Sequence, residues 1–309
     1  MTHRVVSLAL VLAMGSVEAP GQVPSEEASG HLLIDAVAVD RAGMPVPDLR
    51  PEELEVWIGG YRVPIRALTA VTSADDAARS IVLLLDDVTL EPALVPRARE
   101  AARRFVSRML PGDQMTVVTL SGPSVESTDD RARLLRSVDT YNVRATGIMR
   151  PDTLAEHVLG TISSLSRQLA EARAHRKAIV AIGPAWLFDT PIPPPTIGRD
   201  LRREWTDAMR SMAFANVALY VIDPSGVGGS RTNGGASGFA RDTGGFTFAN
   251  TNDLKDAADR IMREAGTYYV IEVADPPVGR KSELRELDVR VLRRGISVRA
   301  RRAIPGGRH

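Results

Sequence analysis

Residues Arg79 to Pro92 read RSIVLLLDDVTLEP. Five apolar residues, Ile81 to Leu85, run straight into two adjacent carboxylates, Asp86 and Asp87. An apolar run without polar alternation is the pattern of a strand covered on both faces. In open α/β sheets, ligands gather at the carboxyl ends of such strands. Two alternatives stand for Asp86 and Asp87. They hold a hard cation, or they bond backbone amides where the strand stops.

The text around this stretch alternates strand with helix. Leu94, Ala98, Ala102, Phe105, Val106 and Met109 fall at helical spacing within 92–109, and Pro111-Gly112 ends that segment. QMTVVTLSG then reads as a strand, 153–173 as a helix with Leu154, Val158, Ile162, Leu165 and Leu169 on one face, and KAIVAIG as a buried strand. A helix over 200–215, the strand NVALYVID, a helix in DLKDAADRIMREA and the strand TYYVIEVA follow. Such alternation predicts an α/β fold, a doubly wound and mostly parallel sheet, over residues 79–273.

The flanks differ. Residues 22–78 read as a polar linker (22–30) and a small β-rich unit, with a hairpin signal at Gly59-Gly60. Residues 274–309 read as a C-terminal hairpin around Arg294-Gly295 and a basic tail, expected to pack on the small unit or to extend the main sheet. Residues 1–21 have a short basic start, the apolar run VVSLALVLAMG and small residues, the pattern of a secretory signal peptide cut between Gly15 and Gly21. The expected location is therefore secreted or periplasmic. The apolar run is shorter than the roughly 20 residues that span a bilayer.

Composition removes several function classes. The 309 residues carry 39 Lys plus Arg against 38 Asp plus Glu, so the chain lacks the basic excess of a general nucleic-acid binder. It has no cysteine, which excludes disulfides, thiol catalysis and thiolate metal sites. The proline-rich loop TPIPPPTIG (190–198) is stiff by composition. The glycine-rich loop 225–238 matches neither a phosphate-binding loop nor a dinucleotide fingerprint. No G-x-S-x-G elbow and no paired histidines occur, and His157 reads as structural within its helix.

The order of elements and the start VLLLDDVTLEP resemble the von Willebrand factor A domain, a doubly wound α/β fold. More closely, residues 33–303 resemble the bacterial secreted von Willebrand factor A-related proteins first described in Acidobacteria. AVAVDRAGMPVPDLRPEELEVWIGG is similar to their N-terminal β signature, and ARDTGGFTFANTNDLKDAADRI to their "TGG…N…L" segment. TYYVIEVA and LDVRVLRRGISVRARRA are similar to their closing strands. The resemblance implies a metal-ion-dependent adhesion site at the first strand, of the form D-x-S-x-S. Counted from Asp86, the two serine places hold Val88 and Leu90, which cannot ligate. Counted from Asp87, they hold Thr89 and Glu91, which can. Thr153 resembles the family's threonine ligand, whereas Gly183 stands where its second aspartate belongs. The implied cation is Mg²⁺ or Mn²⁺ on Asp86, Asp87, Thr89, Glu91 and Thr153, in a site with part of its pattern lost; the alternative is no cofactor.

These readings predict a non-enzymatic module that binds a protein partner through loops 87–92, 142–152, 184–198 and 224–238. Trp186, Leu187 and Phe188 lie in one of them and are candidate anchors. Two alternatives remain: a hydrolase using Asp86, Asp87 and Asp223, and a structural envelope protein without a ligand site.

Overall fold

The computed structural model describes residues 31–72, 78–122, 126–144, 150–188, 201–229, 238–274 and 284–306. The expected signal peptide, the polar linker and the proline-rich loop lie outside the described residues, as do residues 230–237 of the glycine-rich loop.

Four strands come first: β1 (His31–Val39), β2 (Leu54–Ile58), β3 (Tyr61–Val63) and β4 (Ile65–Val71). β2 and β3 form the expected hairpin, and Gly59 and Gly60 turn it at φ 56° and 84°, angles that glycine adopts without steric cost.

The α/β unit follows. Its parallel sheet has the order β6-β5-β7-β8-β9, built from β5 (Arg79–Leu85), β6 (Gln114–Thr119), β7 (Arg176–Ile182), β8 (Val217–Ile222) and β9 (Thr247–Phe248). Every residue of β5, β7 and β8 is buried, as a strand covered on both faces requires. Helices α1 (Val95–Ser107), α2 (Arg131–Thr140) and α7 (Leu254–Gly266) cover one face. Helices α3 (Pro151–Ala170) and α5 (Arg202–Ala215), with the single turns α4 (Ala185–Phe188) and α6 (Phe239–Asp242), cover the other. The strand order reverses between β5 and β7, so the fold is doubly wound and its crevice opens beside Asp86.

The sequence reading has no helix at α2. Its signal is short: Asp130 caps it by accepting from the Arg133 amide at 3.0 Å, and only Leu134 and Val138 are buried.

A larger difference concerns Tyr268–Ala274, read above as the last strand of the 79–273 unit. As β10 it leaves the parallel sheet and pairs antiparallel with both β1 and β4. With β11 (Leu284–Val291), β12 (Ser297–Ala300) and β13 (Ala303–Pro305), it completes two sheets, β12-β1-β10-β4 and β13-β11-β2-β3. These face each other across a core that includes Ile34, Val56, Ile58, Ile271, Val273, Leu287 and Ile304. The hairpin expected around Arg294-Gly295 does not form, because β11 and β12 lie in different sheets and pair with β2, β13 and β1 instead. The small β unit and residues 284–305 together make one β-sandwich. The α/β unit is inserted between β4 and β10, and Val71 and Tyr268, at the insertion's two ends, are register partners.

The two parts meet along β1. Its outer face carries Val37 and Val39, which pack with Tyr268, and the buried Asp35. The Asp35 carboxylate accepts from His175 Nε2 at 2.8 Å, Asn216 Nδ2 at 3.0 Å and Arg176 Nη1 at 3.5 Å. Arg301 donates to the carbonyls of Ala213 and Leu33 and to Asn216 Oδ1. Farther along, the fully buried Glu264 of α7 pairs with Arg260 and with Arg299 of β12. Both guanidiniums lie over the Phe246 ring, 4.6 and 4.9 Å from its centre.

Candidate functional site

Three aspartates end the central strands, and all three are buried. Asp86 follows β5. Its Oδ1 accepts the amides of Val88 and Thr89 at 2.9 and 2.8 Å, and its Oδ2 accepts the Thr89 hydroxyl. Burial raises its carboxyl above the usual range, and these three donors only partly offset that. Asp87 turns the other way. It accepts the amide of Ser121 at 2.9 Å and the Ser121 hydroxyl, and Arg144 Nε lies 3.3 Å from its Oδ2. Asp223 follows β8 and accepts the amides of Ala185 and Ser225, each at 2.9 Å.

Residues after α2 complete this edge. The Tyr141 hydroxyl donates to the Asp86 carbonyl, and the Arg144 amide donates to the Asp87 carbonyl at 2.8 Å. Burial, first, and the nearby aspartates raise the Tyr141 phenol far above its ordinary value, so it stays a proton donor. Arg99 of α1 fixes the Tyr141 carbonyl in turn. Each aspartate therefore ties at least one neighbouring loop to a strand end. Buried polar groups are expected to be bonded in this way.

The crevice between β5 and β7 is filled. A Cβ placed on Gly183 would lie 2.6 Å from Phe188 Cε2 and 2.7 Å from Asp86 Cβ. The position that would carry the family's second aspartate thus has no room for a side chain. The other proposed ligands are divided. Thr89 turns its hydroxyl to Asp86, and Asp87 faces Ser121 and Arg144. Glu91 is exposed and precedes the 3-10 turn Pro92–Leu94, and Thr153 is exposed in the first turn of α3. A guanidinium on Asp87 also competes with any cation for the same oxygens. Among the described residues, no group of three or more His, Cys, Asp or Glu side chains is placed to hold a metal. The donor set does not fit the implied site.

The expected aromatic anchor is also divided. Leu187 and Phe188 are 1% and 0% exposed and pack in the core under α4, which corrects their reading as surface anchors. Trp186 points outward, with 38% exposed. Pro184 begins this single helical turn, and its spacing sends Leu187 and Phe188 inward.

The Thr243-Gly244-Gly245 segment is a junction between the two units. Thr243 Oγ1 accepts the Leu219 amide at 2.9 Å and donates to the Ala240 carbonyl at 2.8 Å. Thr243 is also bridged to Arg301 of the sandwich. A Cβ on Gly245 would lie 1.8 Å from the Leu219 carbonyl oxygen, so only glycine fits there. His157 bonds the Leu120 carbonyl at 2.7 Å, the structural role read from its helix.

No protein-family model matches the chain, and no protein of curated function matches it. Similar solved structures include a D319A mutant of the PilB minor pilin from Streptococcus sanguinis, at 9% identity and TM-score 0.41, covering 61% of each chain. The manganese-loaded Plasmodium vivax TRAP protein is similar at 12% identity and TM-score 0.40, covering 76% of this chain and 96% of that one. The SpRpn10 VWA domain is similar at 14% identity and TM-score 0.37, covering 59% and 93%.

Proposed function

We propose that the protein is a secreted, non-enzymatic protein-binding module of the von Willebrand factor A-related kind. It recognises its partner with the loops at the carboxyl edge of the parallel sheet, and it needs no cation to do so. The observation that carries this reading is the use of Asp86, Asp87 and Asp223. All three hold loop amides, so the edge is organised for presentation rather than for chemistry at the carboxylates. Loops fixed in advance lose less freedom on binding. Trp186, exposed in the turn whose Leu187 and Phe188 are buried, supplies the anchor. Secretion rests on the sequence of residues 1–21.

Two measurements test this. A photo-crosslinking residue at position 186 should capture a protein partner from an envelope extract, and the same residue at Tyr61, exposed on the sandwich, should not. Equal labelling from both positions counts against recognition at this edge. Calorimetric titration of Mg²⁺ and Mn²⁺ should give no saturable heat. Binding that is lost in Asp87→Ala would restore the metal-dependent reading, and turnover of ester, phosphate or peptide substrates lost in that variant would restore the hydrolase.

A further inference from the structure

A cleft of about 500 Å³ opens at the seam between sandwich and α/β unit, away from the aspartate edge. Its sandwich wall is Met44, Pro45 and Pro47, and its other wall includes Leu110, Met262, Arg108 and Arg263. Met44 and Leu110 are 48% and 37% exposed, although both are large and apolar. Clefts of this size between structural units are common ligand sites.

The charge of the cleft is uneven. Arg79 is neutralised by Asp113, and its remaining donor meets the Met262 carbonyl. Arg104 and Arg108 both bond the single carboxylate of Asp259, which leaves one positive charge over and holds that carboxyl far below its usual range. Arg108 Nη1 has no acceptor among the described residues, and neither has the exposed Arg263. The carboxyl ends of α1 and α7 reach this cleft and offset roughly half a charge each. Among the described residues, two uncompensated guanidiniums less these two ends leave about one positive charge beside an exposed apolar wall.

From this we infer that the cleft binds a small amphipathic monoanion, an alkyl carboxylate or a chemically similar acid. The acid group meets Arg263 and Arg108 Nη1, and the apolar body lies on Met44, Leu110 and the two prolines. A charge-assisted pair with a guanidinium supplies the orientation.

The test uses octanoate as probe, with calorimetry and thermal unfolding of the whole chain. Octanoate should bind saturably and raise the melting temperature, because it bridges both parts. Octan-1-ol and acetate should each bind at least about tenfold more weakly, as should octanoate in Arg263→Ala. Met44→Asp should abolish binding. Both substituted residues are exposed, and circular dichroism checks that the variants fold. No saturable binding by the wild-type chain overturns the inference. Binding unchanged in Arg263→Ala also overturns it and leaves Arg263 as a helix-end charge alone.

Discussion

His175 Nε2 lies 2.8 Å from Asp35 Oδ1, and the pair joins the first strand of the sandwich to the last turn before β7 of the inserted unit. The His175 ring also stacks on Tyr268, 6.0 Å between centres, at the strand where the chain re-enters the sandwich. The hydrogen bond with Asp35 raises the imidazole above 6.5, against its own partial burial and the charges of Arg176 and Lys177. Burial raises the Asp35 carboxyl, but His175, Arg176 and Arg301 together outweigh it and hold the group below 3.8.

These shifts give a pH dependence with a definite sign. A raised histidine stabilises the fold fully below its unfolded value and loses that contribution as pH climbs through the folded one. A depressed aspartate stabilises above its unfolded value and loses that as pH falls through the folded one. Both contributions are present between the ordinary values of 3.8 and 6.5. The urea midpoint should therefore decline as pH rises above the ordinary histidine value of 6.5 and through the raised folded one. In His175→Gln this part of the slope should vanish, and an unchanged slope would place the titrating group elsewhere.

Gly183→Ala should destabilise the α/β unit by about 1–3 kcal/mol, because its methyl meets Phe188 and Asp86 with no space to yield. Gly183→Asp should be worse and should not create Mg²⁺-dependent stability. Denaturant unfolding with EDTA and with Mg²⁺ separates these outcomes. A stabilised, Mg²⁺-dependent aspartate variant would show that the crevice can open.

Two glycines form a contrasting pair. Gly245→Ala places carbon 1.8 Å from a carbonyl oxygen and should cost about 3 kcal/mol or more. Gly228 has open space around it and only a φ of 78° to maintain, so Gly228→Ala should cost about 1–2 kcal/mol. Melting temperatures of the two variants would show whether backbone crowding or backbone conformation governs each site.

Asp113→Ala should be among the most damaging single changes. Asp113 is 1% exposed and holds the 2%-exposed Arg79 at the first residue of β5. Removing one partner of a buried pair strands the other charge, at about 3–5 kcal/mol. Arg79→Met with Asp113→Leu should recover much of the loss, measured by denaturant unfolding.

The central strands were legible because β5, β7 and β8 carry the unbroken apolar runs Ile81–Leu85, Ala178–Ile182 and Val217–Ile222, the pattern of a doubly covered strand. The placement of β10 was misread for a related reason. Its position after α7 fits a β/α rhythm, yet Glu272 sits in its middle and its burial alternates from Tyr269 to Ala274. That is the period of a strand with one face in a sandwich. Its partners in β1 and β4 are about two hundred residues away, and no local pattern encodes so distant a pairing. At the aspartate edge the sequence showed carboxylates at strand ends. It could not choose between cation and amide, because Ser121 arrives from the end of β6, and Tyr141 and Arg144 arrive from the segment after α2.

Val71 and Tyr268 stand opposite each other on one ladder, so the inserted unit leaves and rejoins the sandwich at a single rung. A pull applied between His31 and Pro305 therefore runs through β1, β11, β12 and β13 and their antiparallel ladders, bypassing the parallel sheet. The sandwich acts as a mechanical mount. Tension along the chain loads its strands first, and the aspartate edge keeps its shape until the mount itself gives way.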